Sequence, residues 1–199
     1  MPQDRTPRYA PRYAPAALAV PSLLTERLSL TGPRGDDFDD IAALWAEPKV
    51  VEHITRRPLS REECWSRFLR SLGHWVHLGF GYWVVRERAT GRFVGEVGLA
   101  DLQRDMVPSC HGVPEAGWVL APWAHGQGYA TEAALAALSW CQEVLAPPRV
   151  VCLIDPRNQG SLAVAAKCQF VEVTRAPYAG AEVVLLQRWF APPDGVTGT

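Results

Sequence analysis

The segment EAGWVLAPWAHGQGYATEAALAAL, residues 115 to 138, runs an apolar strand pattern through Pro122 and a Gly126-Gln127-Gly128 turn straight into an alanine-rich helix pattern. A strand that turns directly into a helix belongs to a mixed α/β architecture. It also sets the unpaired N–H groups of the helix's first turn at the strand's C-terminal end, where an anion is favoured. Glycines at 126 and 128 would let a phosphate approach the backbone closely, and they serve equally well in a tight connection that only needs positive φ. On the turn alone both readings stand. Two familiar phosphate loops do not apply, because Gly-Lys-Ser/Thr is missing and no third glycine follows Gly128.

The surrounding chain supplies elements to pack with this unit. RLSLT (27–31) alternates like a strand, and GDDFDDIAALWAEP places acids in a first helical turn ahead of Ile41, Leu44 and Trp45. Ser60 and Glu63 form a capping-box signature opening a second helix, which carries Cys64, Trp65, Phe68, Leu69, Leu72 and Trp75 at helical spacing. GYWVVRE and RFVGEVGLADL flank a RATGR turn as in a β-hairpin. After the glycine turn, VVCLI (150–154) has the continuous apolar character of a buried central strand. NQGSLAVAAKCQF predicts a short helix, and FVEVT and VVLLQRWF predict two strands joined through Tyr178-Ala179-Gly180. The expected order is β-α-α-β-β-β-α-β-α-β-β. Residues 21–191 form the expected folded domain, with a flexible proline-rich tail over 1–20 and a flexible C-terminal tail over 192–199.

Composition narrows the partners. A formal net charge of −1 gives no basis for a nucleic-acid groove or an anionic membrane surface. Apolar runs stay well short of the roughly 20 residues of a membrane span. The five cysteines (64, 110, 141, 152 and 168) are odd in number and widely spaced, which fits a reducing cytoplasm better than a disulfide framework. His74 and His77 share a helical face, but no carboxylate or cysteine nearby completes a site, so no metal is assigned.

Four motifs together carry a family resemblance. HGQGYATEA resembles the pyrophosphate-binding segment of the GNAT N-acetyltransferases, Arg/Gln-x-x-Gly-x-Gly/Ala, on His125, Gly128 and Ala130. LLTERLSL (23–30) is similar to the opening of the RimJ/RimL-like branch and FVGEVGL (93–99) to its third strand. DPRNQGSLAVAAKCQF (155–170) is similar to its Pro-x-Asn-x-x-Ser…Lys-x-Gly-Phe segment. The resemblance extends from about Leu23 to Phe190. It departs from the pattern at His125, at Thr31, where the branch usually has arginine, and at Gln169, where it has glycine.

The resemblance implies an α/β (α+β) GNAT fold: a central mixed, mostly antiparallel sheet of about seven strands, splayed between strands 4 and 5, with about four helices. It implies acetyl-CoA as cosubstrate and a primary amine, on a small molecule or a protein N-terminus, as acceptor. The acetyl group would pass by direct attack within a ternary complex. The alternative is a non-catalytic acyl-CoA-sensing or partner-binding module on the same fold, and a homodimer is left open. Carried over by motif, Trp118, Val119 and Leu120 would face the pantetheine arm. The segment His125, Gly126, Gln127, Gly128, Tyr129, Ala130 and Thr131 would hold the pyrophosphate. Asn158 would contact CoA from the opposite strand, and its side chain also suits a helix cap.

Attack by an amine requires a proton acceptor. Glu115, at the start of the strand entering the wedge, and Glu96, inside the apolar strand VGEVGL, are the candidates. Burying an unpaired acid is costly, which singles out Glu96, while Glu115 is singled out by its nearness to the wedge. Many family members protonate the leaving thiolate from a tyrosine on the helix after the asparagine. The matching stretch here, LAVAAK, has no hydroxyl, and Ser161 is the nearest replacement. Trp45, His53, Trp65, Trp75 and Trp83 lie in the region that shapes the acceptor side in the family.

Overall fold

A computed structural model describes residues 19–190. The expected proline-rich and C-terminal tails lie outside the described residues, except for positions 19 and 20, and Val20 already packs against the core. Eight strands form one sheet: β1 (Leu23–Leu24), β2 (Leu28–Thr31), β3 (Tyr82–Glu87), β4 (Phe93–Ala100), β5 (Glu115–Leu120), β6 (Arg149–Ile154), β7 (Val171–Tyr178) and β8 (Ala181–Trp189). Their spatial order is β1-β2-β3-β4-β5-β6-β8-β7. Every neighbouring pair is antiparallel except β5 and β6.

Among the described residues there are five α-helices: α1 (Phe38–Ala46), α2 (Pro48–Val51), α3 (Arg61–Leu78), α4 (Tyr129–Trp140) and α5 (Gln159–Lys167). The counts exceed the expected seven strands and four helices by one each. β1 has two residues and α2 four, lengths at which no hydrophobic period can be read from sequence. α2 begins where Pro48 fixes φ at the first helical position and Glu47 accepts the Lys49 N–H. α3 begins at the expected capping box: Glu63 N–H donates to Ser60 Oγ at 3.2 Å and Ser60 N–H to Glu63 Oε2 at 2.8 Å. It stops at Gly79, in the left-handed region at φ 76°.

The two sheet faces bury different helices. Val84 and Val119 pack with Phe38, Ile41, Trp45 and Phe68 of α1 and α3. Val97, Leu99, Ala116 and Leu120 point the other way, into a core shared with Ala133, Ala137 and Leu138 of α4 and Ala165 of α5. Alanines on those helices let the backbones lie close to the sheet. All five cysteines are buried and free. No described helix is long and apolar enough to cross a membrane.

The Lys-x-Gly-Phe departure has a local explanation. After α5, Gln169 N–H donates to Ala166 O and Phe170 N–H to Ala165 O, the two bonds of a Schellman stop. Gln169 occupies the glycine conformation at φ 65°, so the turn is kept and its strain accepted. Left-handed geometry costs an L-residue roughly 1–2 kcal/mol, of which glycine's greater unfolded-state freedom offsets a part. Gln169→Gly is therefore expected to stabilise the protein by about 0.5–1 kcal/mol, read as a rise in Tm of about 1–4 °C.

Candidate functional site

The one parallel pairing in the sheet creates the cleft. β5 and β6 are in register only at Glu115 and Val151, where Val151 N–H donates to Pro114 O at 3.0 Å. Beyond that point β5 stays bonded to β4 as far as Leu120, and β6 to β8 as far as Ile154. Each strand follows its antiparallel partner, so the two separate toward their C-terminal ends. In the eight-strand count this is the expected splay. A cleft of about 670 Å³ opens there, with Ala116 to Val119 on one wall and Cys152 to Asp155, Asn158 and Ser161 on the other.

The floor depends on two glycines. Gly98 and Gly117 lie opposite each other across β4 and β5, and Tyr82 pairs with Gly98 from β3. A Cβ on Gly117 would stand 1.9 Å from the Tyr82 hydroxyl, and one on Gly98 would stand 2.4 Å from the Tyr82 Cα. The missing side chains make a trough in which the Tyr82 ring lies, with its hydroxyl over Gly117. Burial raises the pKa of this phenol, so it keeps its proton at neutral pH. Sequence reading missed Tyr82, because its place depends on strand register.

The glycine turn lies beyond the cleft lining, after a 3-10 turn over Pro122–Ala124. Gly126 and Gly128 have φ of 74° and 80°. Among the described residues no protein acceptor takes the N–H groups of residues 126 to 131, and Glu132 N–H is the first to bond within the helix, to Gly128 O. Six donors thus converge at the positive end of α4. The loop is braced from outside: His125 Nε2 is 2.9 Å from Leu120 O, and Arg27 Nη1 donates to Gln127 O at 3.0 Å. A carbonyl can only accept, so His125 Nε2 carries a proton, and the ring ties the loop to the end of β5. Glu132 anchors the helix by accepting from Thr25 Oγ1, Arg27 N and Arg27 Nε.

Across the cleft, Asn158 caps α5, its Oδ1 accepting the Ser161 N–H at 3.0 Å. Asp155, at the end of β6, fixes the turn before it: its backbone oxygen accepts from Asn158 N, and its carboxylate pairs with Arg157 at 2.7 Å. Both Asn158 and Ser161 line the cleft.

The two glutamates occupy different environments on one sheet face. Glu115, 8% exposed, lines the cleft and makes a bidentate pair with Arg104, both bonds 2.7 Å. Glu96, 7% exposed, lies outside the lining and accepts the Trp45 indole N–H at 2.7 Å. Burial pushes its carboxyl above the usual range, opposed by the Trp45 hydrogen bond and by Arg67. Of the aromatic residues expected near the acceptor, Trp45 and His53 line the cleft. Trp65 instead stacks with Phe68 at 5.4 Å, and Trp75 and Trp83 pack edge-on against each other and Trp140. Among the described residues no three His, Cys, Asp or Glu side chains gather as a metal would require.

Residues 27–171 match the family model described as an acetyltransferase (GNAT) domain. The chain belongs to the GNAT acetyltransferase family. A solved acetyltransferase from Agrobacterium tumefaciens str. C58 shares this GNAT fold at 28% identity, with 88% of this chain and 98% of that one covered and a TM-score of 0.74. The ribosomal-protein-S5-alanine acetyltransferase from Vibrio fischeri shares the fold at 20% identity, covering 85% and 97%, with a TM-score of 0.66. Among curated relatives, the uncharacterized protein YkkB of Bacillus subtilis (strain 168) is 34% identical over 89 residues. That match takes in 45% of this GNAT chain and about half, 49%, of YkkB.

Proposed function

We propose that the protein is a cytoplasmic acetyl-CoA-dependent N-acetyltransferase acting on a primary amine. The observation that carries this reading is the junction of two features: a wedge between β5 and β6, and six unpaired N–H groups at the α4 end of the β5 connection. The donors suit a pyrophosphate. The β5 edge left free by β6 suits a chain of amide groups, as a sheet edge suits any extended backbone.

Bound acetyl-CoA supplies the acetyl group as an activated thioester. Trp118 and Val119 face the arm, Asn158 closes the opposite wall, and the amides of Gly126 to Thr131 fix the diphosphate. Glu115 accepts the amine proton, directly or through a water, because it is the candidate base that reaches the cleft. A free N–H near Val119 or Leu120 stabilises the developing oxyanion. Of the hydroxyls on the lining, those of Thr55, Tyr82, Ser161 and Tyr178, Ser161 and Tyr82 would serve the leaving sulfur.

Calorimetry with acetyl-CoA followed by an amine-panel assay for free CoA tests the proposal. A KM for acetyl-CoA between about 1 µM and 1 mM with turnover of an amine is expected. Binding without turnover on any amine would favour the non-catalytic acyl-CoA-sensing module. Absence of binding would remove both readings.

A further inference from the structure

We propose that the acceptor side of the cleft is a seat for a carboxylate, so that the amine acetylated here belongs to a small molecule that also carries that anion. The proposal rests on the acetyl-transfer reading above and names its substrate class.

Arginines outnumber carboxylates in the cleft lining. Arg67, Arg70 and His74 follow one another at spacings of three and four on α3 and line the cleft, the charge residing on the two arginines because burial and Arg70 disfavour the protonated form of His74. The segment after α2 adds His53 and Arg56. The carboxylates of the same lining are already engaged. Glu115 is held by Arg104 and Asp155 by Arg157. Asp101 accepts from Gln103 N, Gln103 Nε2 and Gly112 N. Among the described residues no carboxylate lies within 4 Å of Arg56, Arg67 or Arg70, whereas seven of the twelve other described arginines have such a partner.

Arg67 is the centre of this region. Its guanidinium lies 3.7 Å from the Trp45 ring centroid, which fixes the plane of the group. Glu96 accepts the N–H at the edge of that indole and acts on Arg67 only through space, without an ion pair within 4 Å. Burial and the neighbouring Arg70 both disfavour the charge on Arg67. On the same lining, His53 Nδ1 is buried with no hydrogen-bond partner among the described residues. Two guanidinium groups without a carboxylate partner and a buried imidazole nitrogen on one lining favour a ligand that brings oxygen acceptors and negative charge. A carboxylate meets a guanidinium fork with two parallel bonds. A polyamine would add like charge to the same space.

The test compares glycine, β-alanine, γ-aminobutyrate and L-glutamate with their carboxamides, with 2-aminoethylphosphonate, and with putrescine and spermidine. The expected result is kcat/KM about 10- to 100-fold higher for a carboxylate than for its carboxamide, carried mainly by KM. Arg70→Gln and Arg67→Gln should each shrink that ratio toward one. In parallel, the same carboxylates are titrated calorimetrically into the CoA-saturated protein. Binding that weakens about 10-fold or more in either variant supports the seat even if no amine is turned over, and that combination would sink the acetyl-transfer reading alone. Equal or better turnover of the carboxamides, putrescine or spermidine overturns the seat while leaving acetyl transfer standing. A preference for 2-aminoethylphosphonate over β-alanine overturns the carboxylate assignment. A carboxylate preference that survives both variants overturns the role of these arginines.

Discussion

Gly128→Val is expected to weaken acetyl-CoA binding by about 10²- to 10⁴-fold while the protein remains folded. Gly128 caps α4 at φ 80°, and a Cβ there would meet only Arg27 Nη2 at 3.5 Å, so the substitution is opposed by conformation and not by collision. A β-branched residue in that region costs roughly 1–3 kcal/mol, and the loop relieves it by rotating the peptides on either side. Those peptides carry the donors of residues 128 and 129. A hydrogen bond to a charged group contributes roughly 1.5–3 kcal/mol, so misaligning two of them accounts for the expected loss. The strain lowers Tm by about 2–4 °C for each kcal/mol. Gly126→Ala, at φ 74° with nothing within 4 Å of a new Cβ, should have a smaller effect of the same kind. Calorimetry beside thermal unfolding separates the two consequences: unchanged affinity in the valine variant would remove the loop from the pyrophosphate site.

What could be read in advance followed the range of the interaction. The Ser60–Glu63 box, the helix start at Tyr129 and the hairpin between β3 and β4 depend on residues a few positions apart, and all formed where expected. The wedge was legible only through resemblance, since nothing local in EAGWVL or VVCLI states that two parallel strands will part after one pairing. The tryptophans show the same limit. Trp45 and Trp65 look equivalent in sequence, yet one turns toward Glu96 and the cleft and the other stacks in the core. Asn158 was readable as a cap because its partner is three residues away. The partner of Glu115 was not legible, because Arg104 reaches it from the loop after β4, eleven residues earlier. Tyr82 was hidden because its position over Gly117 needs the registers of three strands.

Glu115→Gln is expected to lower kcat by about 10²- to 10⁴-fold, the usual worth of a positioned proton acceptor, with acetyl-CoA affinity close to that of the parent. Some stability will also be lost, because Arg104 is left without its carboxylate. Glu96→Gln supplies the contrast, since Glu96 shares the sheet face but not the cleft lining. Its native pKa is raised above the unfolded value, so the folded state holds the extra proton as pH climbs from the unfolded pKa of roughly 4.3 toward the native one. The parent's stability is therefore complete below that window and falls as pH rises through it. A glutamine carries no charge to bury, and its carbonyl oxygen can still accept the Trp45 N–H. Glu96→Gln should raise Tm at pH 8 by several degrees, lose that advantage near pH 4, and keep most of the activity. If instead Glu96→Gln abolishes turnover and Glu115→Gln does not, the proton acceptor is Glu96, and the Arg104–Glu115 pair is a brace at the closed end of the wedge.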